Sequence, residues 1–274
     1  MTSSLWTHGH ARLQYIRSTP EDTLNWVFLP GGPGLGSESL LPLTRLLVLP
    51  GTIWHLDLPG DGSNVQVNQP FSSWQEALIE AVHAFENVIL VAHSTGGMYA
   101  LATPELQKAL VGLVLMDSAP DMRWQEQFLQ FTQKNPLPNL TQLQKAYSEA
   151  PSNERLKCVT LASVPYLSNQ ENGRKQFSFL EDLPYNFRAC EWSDQHFDST
   201  YKAKLIPHSF PTLIFAGEHD RITPLKLFIE SESFHHVNIV MRTISNGGHF
   251  PWIENPSEVV DLFQEYYQLL RSSR

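Results

Sequence analysis

The chain has 274 residues, of which 42% are hydrophobic, 17% charged and 11% aromatic, enough to bury a sizeable core without disulfide or metal staples and too apolar for a disordered segment. Its 28 Asp and Glu against 19 Lys and Arg leave a net charge of -9, which repels phosphate backbones and anionic headgroups, so neither nucleic acid nor a membrane surface is expected as a partner. Only Cys158 and Cys190 are present, without metal-ligand spacing; they read as free thiols, and with no basic-then-apolar leader and no apolar run of membrane-spanning length the expectation is a soluble cytoplasmic protein.

Alternation through Ala11, Leu13 and Tyr15 predicts one or two antiparallel strands turning near Gly9. Four short apolar runs follow, at 25–29, 52–58, 87–93 and 111–117, the pattern of strands covered on both faces in a parallel sheet. Between them lie helix-like stretches at 37–47, 72–85 and 95–106, the second carrying the Ser73 and Glu76 spacing of a capping box. Strand alternating with helix implies right-handed βαβ units and an α/β fold. The alternation stops after Pro120. Residues 121–207 show interrupted polar stretches rich in aromatics, among them Trp124, Phe128, Tyr147, Phe177 and Trp192, and are expected to form a mostly helical insertion. The pattern resumes with a strand at 211–217, a helix from about Pro224, a strand at 236–244 and a last helix whose start is marked by Asn255, Pro256 and Glu258. The expected organisation is a core of residues 1–120 and 208–274 with a helical cap over 121–207.

The chemistry-bearing signal is AHSTGG at 92–97, where a strand passes into a helix. A serine at such a turn is held in strained backbone with its hydroxyl above the sheet edge, and small neighbours, here Ala92 and Gly96, are needed because the turn is tight. The Thr95 amide, opening the next helix, would face an oxyanion developing at Ser94. A glycine-rich loop, LPGGPGLG at 29–36, follows an earlier strand and offers Gly32 as the second oxyanion donor. Such a loop also suits phosphate, but it lacks both G-x-G-x-x-G and the Lys-Ser/Thr ending of a P-loop. Asp220 lies in AGEHDRITP after one late strand and His249 in SNGGHFPWIENP after another. Ser94, Asp220 and His249 therefore all sit at carboxyl ends of strands, the edge at which such sheets bind ligands.

Taken together, GGPG (31–34), DLPGDG (57–62), HSTGG (93–97), GEHD (217–220) and GGHFPW (247–252) resemble the α/β-hydrolase superfamily, in the branch of proline iminopeptidases and related esterases, over almost the whole chain outside the insertion. The resemblance implies a mostly parallel eight-stranded sheet flanked by helices, a serine nucleophile Ser94, a general base His249 oriented by Asp220, an oxyanion hole from Gly32 and Thr95, a small acyl substrate and no cofactor or metal. Two positions depart from the family pattern: Ala92 replaces the first glycine of G-x-S-x-G, and Pro30 stands where a histidine usually precedes the glycines, which removes a hydrogen-bonding anchor of the loop.

Plainer readings compete at several positions. Asp117 also ends a strand and is an alternative acid, though a turn role suits it better. His93 is expected to point to the opposite side of the nucleophile turn, in a packing or hydrogen-bonding role, and His219 to be equally bystanding. His8 with His10, and His235 with His236, lack further ligands for zinc. The aromatics of 121–207 either line a pocket over Ser94 or form their own core. Glu181, Asp182, Glu191, Asp194 and Asp198 suggest recognition of a substrate amine, as in an aminopeptidase, or simply a solvated face. A catalytically idle binding protein and a cofactor-free oxygenase or lyase on the same fold are the further alternatives.

Overall fold

The computed structural model describes residues 3–65, 71–169 and 175–273. Its sheet contains β1 (Ser4–Trp6), β2 (Arg12–Thr19), β3 (Asn25–Leu29), β4 (Gly51–Asp57), β5 (Val88–His93), β6 (Leu110–Met116), β7 (Thr212–Gly217) and β8 (Ile239–Ile244). The spatial order is β1-β2-β4-β3-β5-β6-β7-β8. The β1–β2 and β2–β4 pairings are antiparallel, and every pairing from β4 through β3 to β8 is parallel. The N-terminal hairpin turns where expected, with Thr7 and Ala11 joined across Gly9.

The helices are α1 (Leu41–Leu46), α2 (Trp74–His83), α3 (Thr95–Ala102), α4 (Arg123–Lys134), α5 (Pro138–Glu149), α6 (Asn153–Ala162), α7 (Val164–Leu167), α8 (Phe187–His196), α9 (Lys226–Ile229), α10 (Pro251–Glu254) and α11 (Pro256–Ser273). Two apolar layers cover the sheet, and successive residues of a strand feed opposite layers. Val27, Leu90, Leu113 and Ile214 face the side of α2 and α3. Trp26, Phe28, Ile89, Val114 and Phe215 face the side of α1 and α11. Burial on both faces explains why the central strands read as unbroken apolar runs, and every residue of β5 and β7 is buried. Between β6 and β7 the described chain carries α4 to α8 and no strand of the sheet. No described helix is long and apolar enough to cross a membrane.

Local differences from the sequence reading have physical causes. The strand expected from 236 begins at Ile239, because residues 236–238 turn: the Ile239 amide donates to the His236 carbonyl and the Asn238 side chain to the Phe210 carbonyl. The capping box at α2 does not form. Ser73 has φ -87° and ψ 13°, not the extended backbone of a side-chain cap, and a 3-10 turn Phe71–Ser73 leads into the helix. The stretch 95–106 divides at Pro104, which ends α3 and opens a 3-10 turn. The helix expected from Pro224 is the single turn α9. At α11 the expected start is present: Asn255 Oδ1 accepts the Glu258 amide at 3.4 Å, and the Glu258 carboxylate returns a 2.6 Å contact to Asn255 Nδ2.

Candidate active site

Ser94 stands between β5 and α3 with φ 51° and ψ -124°. A positive φ in a residue with a Cβ costs on the order of 1–3 kcal/mol and persists only where its surroundings hold it. Here the Ser94 amide donates to the Met116 carbonyl at 2.9 Å, and the Ser94 carbonyl accepts from Ser118 Oγ at 2.8 Å and from the Gly97 amide at 3.0 Å. Close packing explains the glycine at 96: a Cβ there would stand 2.3 Å from the Pro30 carbonyl oxygen.

The serine hydroxyl is 3.0 Å from His249 Nε2, and His249 Nδ1 is 3.1 Å from both carboxylate oxygens of Asp220. The loop after β8 delivers His249, whose amide donates to the Leu167 carbonyl at the end of α7. Asp220 is buried and accepts from the Ile222 amide, the Thr223 amide and Thr223 Oγ1. Burial alone would push its carboxyl up, but the neighbouring His249 and these donors outweigh that and hold it below the ordinary carboxylate value. Ser94, His249 and Asp220 thus form one continuous hydrogen-bonded chain, with the imidazole between the hydroxyl and the carboxylate.

His93 takes the packing and hydrogen-bonding role expected of it, but beside His249 instead of facing away. Its ring lies 4.9 Å from the His249 ring, wedged against Phe250 and Trp252, and Nε2–H donates to the His249 carbonyl at 2.9 Å. Burial and the adjacent His249 lower its pKa to about 3, so the ring is neutral and the donor tautomer is fixed by the carbonyl it meets. Asp117 is buried within 4.8 Å of the Asp220 and His249 polar atoms, yet its Oδ1 accepts the Gly217 amide at 2.9 Å and makes no hydrogen bond to the imidazole. Burial and the charge of Asp220 hold its carboxyl well above the ordinary range. His219 is half-exposed beside Glu218, outside the site.

Gly32 and Thr95 both line the cavity that opens on Ser94. Thr95 is the first residue of α3, so its amide has no intrahelical acceptor. Gly31 packs closely on Ser94, since a Cβ there would lie 2.6 Å from Ser94 Cβ. Sequence reasoning missed what holds this loop: the Gly34 amide donates to Asp61 Oδ1 at 2.7 Å, the Ser37 amide to Asp57 Oδ1 at 2.7 Å, and the Gly34 carbonyl accepts the Asn186 amide at 2.8 Å. The only sequence signal was an aspartate between two glycines in DLPGDG.

The cavity measures about 320 Å³. Leu35, Met98, Trp124, Phe128, Leu156 and Phe250 supply its apolar wall, with Thr160, Ser163 and Thr223 as polar points, and no lysine, arginine or carboxylate among the described residues lines it. Cys190 reaches this wall; its thiol is pushed up by burial and by Asp194, so it is a thiol and not a thiolate. Glu181, Asp182, Glu191 and Asp198 do not line the cavity. Asp194 lines a second cavity of about 820 Å³, which shares Trp124, Phe128, Ser163 and Tyr166 with the first. Of the aromatics between 121 and 207, Phe177, Tyr185 and Trp192 pack into the apolar layers.

The sheet is mostly parallel and covered on both faces, Ser94, Asp220 and His249 lie at its carboxyl edge, and residues 26–262 match the model of the Alpha/beta hydrolase family, so the chain belongs to that family. Among solved structures, a proline iminopeptidase-related protein from Thermus thermophilus is similar over 100% of this chain and 99% of its own, with TM-score 0.71 and 18% identity. A thermophilic esterase from Thermogutta terrifontis, solved with malate bound, covers 98% of this chain and 99% of its own, with TM-score 0.71 and 16% identity. An esterase from Exiguobacterium antarcticum covers 98% and 100%, with TM-score 0.69 and 16% identity. Comparison with curated proteins gives no match.

Proposed function

We propose that this hydrolase cleaves a neutral carboxylic ester, or a related acyl bond, through an acyl-enzyme on Ser94. The observation that carries the reading is the Ser94 Oγ to His249 Nε2 distance of 3.0 Å, continued by His249 Nδ1 to Asp220 at 3.1 Å. His249 takes the hydroxyl proton as Ser94 Oγ attacks the carbonyl carbon, and the imidazolium is stabilised by the ionised Asp220. The Gly32 and Thr95 amides receive the developing oxyanion, each donor contributing on the order of 10²-fold or more in rate. Collapse expels the alcohol, protonated by His249; a water deprotonated by the same nitrogen then attacks the acyl carbon, and the acid leaves with Ser94 restored.

The helical segment 121–207 serves in this reading as a cap on the core of 1–120 and 208–274, since Trp124, Phe128, Leu156 and Tyr166 from it wall the cavity over Ser94. An uncharged apolar chamber fits a neutral acyl group. Aminopeptidase action is the second reading, favoured by Asp194 in the adjoining cavity, where it could meet a substrate amine beyond the shared aromatic wall.

A fluorophosphonate probe is expected to label the native protein and to fail on Ser94→Ala; an unlabelled native protein would count against catalysis and leave a binding role. Turnover of p-nitrophenyl esters beside a prolyl amide separates the two enzymatic readings. Faster cleavage of the amide would favour the second.

A further inference from the structure

The residue before the loop glycines is Pro30, which has neither an amide hydrogen nor a polar side chain with which to anchor the loop. The loop is nevertheless held at several points, and the anchors come from the turn that follows β4. Asp61 is buried, and its Oδ1 accepts the Gly34 amide at 2.7 Å. The amides of Gly36 and Gly62 lie near enough to favour its ionised form. Asp57, four residues earlier, accepts both the amide and the hydroxyl of Ser37, at 2.7 and 2.9 Å. The two differ in how their charge is met: Asp57 is paired with Arg12 at 2.8 Å, whereas Asp61 has no salt-bridge partner among the described residues and is compensated by backbone amides.

We propose that Asp61 is a positioning residue for the oxyanion loop, holding Gly34 and Gly36 so that the amide of Gly32 is aimed at the carbonyl attacked by Ser94. This rests on the oxyanion role assigned above to Gly32. Asp61 touches no substrate and acts through the loop. The contact is structural in origin but has a chemical consequence, because the groups that meet the carboxylate are all donors. A carboxylate satisfies them; a carboxylic acid places its own donor among them and forfeits an acceptor position.

The same geometry makes the anchor sensitive to pH. The charged and titratable groups around it are Asp57 from β4, Glu38 from the 3-10 turn after the loop, Arg12 from β2 and Tyr99 from α3. Burial, then Asp57, push the Asp61 carboxyl up to about 7 against the pull of the three amides. Above that pH it is ionised and the loop is pinned; below it the proton loosens the loop. Activity then depends on the ionisation of Asp61, and the acid limb of log kcat/KM against pH is steeper than it would be with a residue at 61 that cannot ionise.

The test is Asp61→Asn, which keeps the side chain's shape and one acceptor but cannot ionise. The expected result is a fall in kcat of about 10²-fold with KM changed less than about threefold, and an acid limb shallower than that of the native protein. A kcat within about threefold of the native value, or an unaltered acid limb, would overturn the proposal. Should the variant not fold, the native protein decides: the amide resonances of Gly34, Gly36 and Gly62 are expected to titrate together in ¹H–¹⁵N spectra with a midpoint of about 7, and their failure to titrate between pH 5 and 9, on the order of two units either side, sinks the idea. Failure of the underlying serine reading is distinguishable, since native protein would then resist fluorophosphonate at every pH.

Discussion

Gly96→Ala tests whether the nucleophile turn and the oxyanion loop are one mechanical unit. The added Cβ would stand 2.3 Å from the Pro30 carbonyl oxygen and 2.9 Å from that of Leu29, whereas real Cβ atoms essentially never approach closer than 3.0 Å. Both obstacles are backbone, so no side-chain rotation relieves them. Leu29 is held in register opposite Ala92 and is fully buried, which leaves Pro30 and the glycines after it as the part that yields. Overpacking of this kind costs about 1–3 kcal/mol of stability. The larger effect is catalytic: if the Gly32 amide serves the oxyanion as proposed, moving it on the order of 1 Å costs about 10²-fold in rate. The assay is kcat and KM on a p-nitrophenyl ester well below the melting temperature, with thermal melts in parallel. We expect kcat to fall about 10²-fold with KM nearly unchanged. A variant with native kcat and an unchanged Tm would refute the claim that this close approach sets the oxyanion geometry.

Three further outcomes follow from the site and its surroundings. Asp220→Asn places an amide group among the Ile222, Thr223 and His249 donors, so the imidazole loses its tautomer control; kcat should fall on the order of 10⁴-fold with the ester still bound, and a loss of less than about tenfold would exclude Asp220 as the orienting acid. His55 is buried and neutral, its pKa lowered from 6.5 to about 4 by burial, so the unfolded chain takes up a proton that the native state refuses as pH falls through this window. The His55 contribution should therefore be full above pH 6.5 and be lost toward pH 4 at up to about 1.4 kcal/mol per unit, so that Tm of His55→Gln should fall less steeply than that of the native protein between these values; parallel slopes would contradict the assignment. Phe128 lines both cavities, so Phe128→Ala should join them and shift the optimum in a series of acetyl to dodecanoyl esters toward longer chains, whereas an unmoved optimum would place the acyl group elsewhere.

The sheet was readable because its central strands are buried twice. The unbroken apolar runs at β3, β5 and β7 leave little room for another assignment, and the strands found there lie within a residue of the runs. Edges were harder to read. β8 lies at the sheet margin with partly exposed residues, and its start is set by the Asn238 contacts to a distant loop, which no local pattern encodes. The α2 start illustrates the opposite failure: Ser73 and Glu76 have the residue types of a capping box, but the chain enters from a 3-10 turn and the backbone at Ser73 is wrong for it.

The distinction at the site is between residues that carry chemistry and residues that hold them. The positions of Ser94, Asp220 and His249 were legible because each lies in a turn just after an apolar strand with a glycine close by; the structure brings the three into a single hydrogen-bonded chain. His93, Asp117 and Asp61 are supports, and a support is defined by what the topology brings next to it. His93 meets the carbonyl of a residue 156 positions away, and Asp117 an amide 100 positions away. Asp61 meets the loop after β3 because β4 lies beside β3 in parallel, so that the two strands release their following loops at the same edge. Once those loops are adjacent, a buried carboxylate can replace any anchor from position 30, and a proline there is tolerated. Pro30 and Asp61 thus act at the two ends of one stretch of loop, the first by lacking a polar anchor and the second by holding the Gly34 amide.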